Sequence, residues 1–233
     1  MQEQTCVSID HLYQQYGKKE VLCDLNLHIP TGRIVGLLGP NGSGKSTLLK
    51  ILSGLITDYS GSVKIFDTPV GPNTKKFVSL LPDKTYFSGK VKPREAISIF
   101  QTFFDDFDAV KAHDMLRAFA IDEDQPFGSM SKGMQEKVQL VLVMSRKAKL
   151  YILDEPTTGL HFEDIRILLA VLRKLVDKGN TVLIIEHNPD VIRACDYLID
   201  LGPEGGREGG QIVAVGTPDE LRHNPKSLTG KYL

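Results

Sequence analysis

The chain has 233 residues, with 28 basic and 29 acidic side chains and a net charge of −1. It is long enough to bury a full core, as one large α/β unit or two small ones, and it lacks the basic excess of a protein that wraps DNA unaided. Hydrophobic residues make up 41%, yet no apolar run approaches the ~20 residues that span a bilayer. The first residues carry no signal-peptide pattern. Cys6, Cys23 and Cys195 lie too far apart for a disulfide framework or a cysteine zinc site. A reducing cytosol is the expected compartment.

Taken in order, Thr5 to Tyr13 and Val21 to Ile29 read as strands around the turn-like Tyr16-Gly-Lys-Lys19. Together they predict an antiparallel N-terminal flap. Tyr16 stands just ahead of that turn, where its ring either stacks on an adenine base or packs on the core. Next comes an apolar run, Arg33-Ile-Val-Gly-Leu-Leu38, then Gly39-Pro-Asn-Gly-Ser-Gly-Lys-Ser-Thr47. The second segment is G-x-x-x-x-G-K-S, the phosphate-binding loop, between a predicted strand and a stretch with helical apolar spacing. The motif's glycines are Gly39, Gly42 and Gly44, with Asn41 and Ser43 between them and Ser46 and Thr47 after the lysine. Glycines let the backbone curl so that consecutive N–H groups converge, and the emerging helix adds the positive end of its dipole. Lys45 reaches the β- and γ-phosphates of a nucleotide, and Ser46 offers a hydroxyl to Mg²⁺.

Gly61 to Phe66 and Phe77 to Pro82 read as further strands, the second stopped by its proline and followed by Asp83. Helices are predicted from Pro93 to about Phe104 and from Phe107 to Ala120, with Phe103, Phe104 and Phe107 as a local aromatic core between them. No linker composition flanks this region, so it reads as a helical subdomain, about 83–146, inserted in one α/β unit spanning 1–233. Ser131 is a good N-cap for a helix running to about Arg146, and Gly133 in its first turn lets another group approach the backbone. Leu150-Tyr-Ile-Leu-Asp154-Glu155 is an apolar strand ending in two carboxylates. In a parallel sheet such a pair falls at the carboxyl edge, where ligands bind. There Asp154 is suited to Mg²⁺, and Glu155 to orienting or deprotonating a water. A helix over Glu163–Asp177, a buried strand over Thr181–Ile185 and then Glu186-His187 follow, bringing His187 to the same edge. The remainder reads as a short helix (190–195), a strand (197–201), a flexible glycine-rich loop (202–210), a strand (211–216) and a helix (218–223).

The phosphate loop, Ser131-Lys-Gly-Met-Gln135, Leu153-Asp-Glu-Pro156 and Glu186-His187 stand in the order and rough spacing of an ABC-type ATPase, and the resemblance covers essentially the whole chain. It implies a P-loop α/β fold, ATP and Mg²⁺ as ligands, and ATP hydrolysis. It assigns the phosphate cradle to Asn41 through Thr47, adenine stacking to Tyr16, and the Mg²⁺-associated and catalytic carboxylates to Asp154 and Glu155. His187 matches the switch histidine at the γ-phosphate. Ser131 and Gly133 match the signature that covers a nucleotide held by a partner chain, so a head-to-tail homodimer or heterodimer with two shared sites is implied. Asp83 stands where the family usually has a glutamine, turning a neutral Mg²⁺ or water ligand into an anion. Lys132, Met134 and His161 also depart from the commoner pattern.

The resemblance is also composite. Residues 1 to about 150 resemble the ATP-binding subunit of bacterial ABC transporters. Residues 154–233 resemble the C-terminal end of the damage-recognition ATPase of the excinuclease ABC system. That second likeness is carried by Asp154-Glu-Pro-Thr-Thr-Gly-Leu-His161, Ile185-Glu-His-Asn188, Asp200-Leu-Gly-Pro-Glu-Gly-Gly206 and Thr229-Gly-Lys-Tyr232. A crossover near 150–156 is expected. Three functions follow from it: a transport ATPase working with a membrane permease on the inner face of the cell membrane, a DNA-repair ATPase module, or a recombined scaffold without a physiological partner. The neutral charge and the missing zinc-binding cysteine pairs weigh against DNA.

Overall fold

The computed structural model describes residues 4–83, 87–203, 209–227 and 229–232. Residues 204–208 of the expected glycine-rich loop and the first three residues lie outside that set. The chain opens with β1 (Thr5–Tyr16) and β2 (Lys19–Pro30), paired antiparallel. The ladder runs further than apolar alternation predicts, down to Tyr16 opposite Lys19, because Gly17 takes a left-handed φ of 60° and closes the turn tightly. The flap is wider than expected. β4 (Ser60–Ile65) joins the other side of β1 and the two-residue β5 (Thr68–Pro69) follows, giving the order β2-β1-β4-β5.

The second sheet holds β3 (Ile34–Leu38), β6 (Val78–Leu81), β7 (Leu150–Asp154), β8 (Thr181–Ile185), β9 (Tyr197–Gly202) and β10 (Gln211–Gly216). Their order is β10-β9-β3-β8-β7-β6, parallel throughout except for β10. The central strands are apolar at nearly every position because both faces are covered. On one face, Ile34, Tyr151, Leu153, Val182 and Ile184 pack beneath the helices. On the other, Val35, Leu37, Leu150, Ile152, Leu183 and Ile185 meet the four-stranded sheet and the phosphate-loop helix. The period of two along each strand deals its side chains alternately to the two cores.

Seven α-helices are described: α1 (Lys45–Leu52), α2 (Pro93–Phe103), α3 (Ala109–Ala118), α4 (Lys132–Met144), α5 (Phe162–Asp177), α6 (Pro189–Arg193) and α7 (Pro218–Arg222). Their starts follow local chemistry. Asp108 accepts the Lys111 N–H, Ser131 accepts the Met134 N–H, and Asn188 accepts the Asp190 N–H.

The predicted aromatic cluster is only partly right. Phe104 and Phe107 pack on Phe100, at 5.2 and 5.5 Å between ring centres, while Phe103 is 76% exposed. The buried stripe of α2 runs Pro93, Ala96, Ile97, Phe100 and continues into Phe104, which leaves Phe103 outside it. Beside this cluster the buried Arg146 makes a bidentate pair with Asp106, donates to the Val78 carbonyl and stacks 4.0 Å from the Phe104 ring. It ties the helical layer to the edge strand β6.

Candidate functional site

β3 is in the middle of the parallel sheet, so the loop at its carboxyl end opens at the centre of that edge. Gly39 has φ 135°, and a Cβ there would sit 2.1 Å from the Leu201 carbonyl oxygen. Gly44 has φ 100° and presses on Val21 and Leu22 of β2. Only glycine fits either place. The loop curls around the Lys45 side chain, which is 6% exposed and donates to the Gly39 and Pro40 carbonyls at 2.8 and 3.0 Å. Burial lowers the Lys45 pKa, and the charges of Glu155, Asp154 and Asp200 partly offset that. The Ser43 hydroxyl is fully buried and has no hydrogen-bond partner among the described residues.

A cavity of about 270 Å³ lies over this loop. Of the residues singled out in the sequence it gathers Tyr16, Asn41, Gly42, Gly44, Lys45, Ser46, Thr47 and Glu155. Tyr16 is half exposed at the rim, which removes the reading of it as a core residue. Lys19, Val21 and Ile185 also line the cavity. Val21 and Ile185 read as ordinary strand residues and Lys19 as a turn residue, so no motif marked them.

The two acids after the β7 apolar run have different surroundings. Asp154 ends the strand half-buried, and its pKa is pushed up to about 6. Burial is the main cause, then the charges of Asp83 and Glu155, against opposing Lys50 and Lys45. Glu155 leaves the strand at a left-handed φ of 48°, a conformation that costs energy in any residue but glycine. Its N–H donates to the Ile185 carbonyl at 3.0 Å, and its carboxylate lies 3.7 Å from Nε2 of His187. Glu186, named from the sequence only beside His187, has a role of its own. It is 4% exposed and accepts the N–H groups of Thr157, His187 and Asn188 at 2.8, 2.9 and 3.0 Å. It thereby pins the loop after Glu155 to the loop that carries His187.

Ser131 and Gly133 lie outside the cavity. Ser131 caps α4 and stays exposed. The group that approaches Gly133 is the Gly159 carbonyl oxygen of the same chain, 2.2 Å from where a Cβ would stand. Asp83 is likewise outside the cavity and exposed, and it acts on Asp154 through charge.

The donor set suits a magnesium-bound triphosphate. A buried lysine, the Ser46 side chain and left-handed glycines line one cavity with Glu155. Among the described residues no group of three or more His, Cys, Asp or Glu side chains forms a metal cage. Among them, too, no helix is long and apolar enough to cross a membrane.

Comparison with known proteins agrees with this geometry. The ABC transporter family model matches residues 22–158. UvrABC system protein A of Aquifex aeolicus is 57% identical over 112 residues, which is 47% of this chain but 12% of that protein. The Deinococcus radiodurans counterpart is 55% identical over the same length, 11% of that protein. This match exceeds the 80 residues of 154–233, so part of it lies ahead of Asp154. Among solved structures, an ATP-binding subunit of an ABC transporter superposes with a TM-score of 0.82 at 26% identity, covering 93% of this chain and 92% of that one. A nucleotide-free ATP-binding cassette superposes at 0.78 with 21% identity over 98% and 99%, a likeness of fold alone. The chain belongs to the ABC transporter family and has the α/β fold of its ATPases.

Proposed function

We propose that this chain binds Mg-ATP in the cavity over the phosphate loop and hydrolyses it, as the ATP-binding subunit of an ABC transporter. One observation carries the reading: Lys45, Ser46 and Glu155 line one cavity, with His187 against Glu155. In this reading the loop amides and Lys45 hold the β- and γ-phosphates, and Tyr16 stacks on the base. Ser46 and Asp154 would hold Mg²⁺, which supplies positive charge against the phosphate oxygens. Glu155 orients the attacking water and takes its proton. His187 donates toward the γ-phosphate, and Glu186 keeps that ring and Glu155 in register. Fixed dipoles and charges of this kind stabilise the charge that spreads over the transferring group.

The same reading makes 1–233 one ATPase domain, with α2 to α4 as the helical subdomain at about 83–146. Two chains pair head to tail, each offering Ser131 and Gly133 to the other's nucleotide. A groove lined by Leu55, Phe100, Phe104 and Arg146, with Phe103 exposed beside it, supports a permease partner at the membrane's inner face. The 57% identity to a UvrABC system protein favours a second reading, a repair-type ATPase module. A composite ancestry would account for both likenesses, with any crossover ahead of the expected 150–156 because the UvrABC match is longer than 154–233, and aligning each part separately against the two families tests it.

Calorimetry and phosphate release test the enzymatic core. Lys45→Ala is expected to lower ATP affinity by at least about ten-fold. Glu155→Gln is expected to keep ATP binding and lose turnover by about 10²-fold or more. Unchanged turnover in Glu155→Gln removes Glu155 from its role. Sedimentation of Glu155→Gln with and without Mg-ATP tests the dimer, whose expected signature is a shift to twice the mass only with nucleotide. Co-purification with a membrane protein supports the first reading, and ATP-dependent retention on damaged DNA supports the second.

A further inference from the structure

We infer that Ser227, Thr229 and Gly230 form a strut for the phosphate loop, with Asp200 and Thr229 as positioning residues for the hydrolysis proposed above; the inference rests on that reading only for its effect on turnover. Asp200 lies on β9, and the residue is 2% exposed. Three donors from 227–229 satisfy its carboxylate: the Ser227 hydroxyl at 2.7 Å, the Thr229 hydroxyl at 3.1 Å and the Thr229 N–H at 3.4 Å. The Gly230 N–H then closes on the Ser227 hydroxyl at 2.8 Å. Ser227 is fully buried, and Gly230 is pressed against the Leu221 carbonyl at the end of α7. A buried carboxylate without its donors is costly, so this arrangement holds Ser227 and Thr229 in one place.

That place adjoins the start of the phosphate loop. Leu201, next to Asp200, has its carbonyl against Gly39, the first residue of the loop. Thr229 lines a cavity of about 150 Å³ together with Gly39, Glu186, His187 and Pro189. The charge of Asp200 is also felt at Lys45, whose ammonium rests on the Gly39 carbonyl. One hydrogen-bonded knot is therefore joined through β9 to the phosphate loop and shares a cavity with the histidine loop. The family match ends at residue 158, well before this segment. Loosening the knot frees Gly39 and His187 to move relative to Glu155, which disturbs placement more than it disturbs binding.

Hydrogen exchange with peptide resolution tests the strut without reference to activity. Thr229→Val keeps the shape and removes the hydroxyl donor, while Thr229→Ser keeps the donor. In Thr229→Val the peptides covering 38–45 and 186–189 are expected to exchange about ten-fold faster, with β7 unchanged and Thr229→Ser like the parent. ATP turnover in Thr229→Val is expected to fall about five-fold in kcat with KM unchanged, and Thr229→Ser is expected to restore it. Parental exchange in both peptides, or equal effects from both variants, overturns the strut. Faster exchange in a chain that never hydrolyses ATP leaves the strut standing and removes the enzymatic reading instead.

Discussion

Asp154 and Glu155 are neighbours in sequence with unlike chemistry, and the difference comes from where β7 ends. Asp154 is still in the strand, shielded from water and facing the charge of Asp83, so its pKa rises from 3.8 to about 6. A carboxyl with a raised folded-state pKa favours the folded chain fully below the unfolded value, and that contribution is lost as pH rises through the folded value. The nucleotide-free protein should therefore lose this part of its stability between the ordinary carboxyl value of 3.8 and about 6. Removing the like charge with Asp83→Asn lowers the Asp154 pKa, so the variant should lose less than the parent. Denaturant midpoints of both proteins at about pH 5 and about pH 7 measure the difference, and equal pH dependence would show that Asp83 has no such influence. Mg²⁺ affinity should likewise rise with pH through this range, because binding requires the ionised carboxylate. The sequence made the pair visible, since two acids after an apolar run are a local pattern. The role of Asp83 in the titration of Asp154 depends on β6 and β7 lying side by side, which no local pattern reveals.

The contact between Gly133 and Gly159 joins the start of α4 to the loop that follows the two acids. Read from the sequence, Gly133 is a poor helix residue that leaves room for an unnamed neighbour, and only folding names it. Gly133→Ala drives a methyl into the Gly159 carbonyl oxygen, at a spacing of 2.2 Å that no real Cβ tolerates. The expected cost is roughly 1–3 kcal/mol, because the helix start or the loop must shift. Chemical denaturation checks it, and a variant as stable as the parent would mean that the two segments part easily. Element ends followed from short-range chemistry, as with Ser131 capping α4 and Pro93 opening α2. What escaped notice depends on distant partners. Arg146 looked like the tail of a helix, yet its guanidinium is matched to Asp106, on the far side of two helices in sequence. β5 is two residues long and exists because β4 offers it a free edge.

At the scale of the whole molecule, the fold class was visible because the parallel strands are continuous apolar runs alternating with helical spacing. The strand order was not visible, because pairing between strands far apart in sequence leaves no local mark. That order puts β3 between β8 and β9. The ladder partners of the phosphate-loop strand thus all come from residues 182–200. Such long-range pairing is slow to form and late to close. During synthesis the motif emerges early, but its strand has both ladder partners only when the residues of β8 and β9 have cleared the ribosome. A series of stalled nascent chains probed with protease should accordingly gain nucleotide protection as a step after Gly202 is outside, and not when Lys45 appears. Protection in a chain arrested just after Leu160 would mean that the loop needs neither neighbour. Any quality-control protease that meets the half-made polypeptide does so before ATP is able to rescue it.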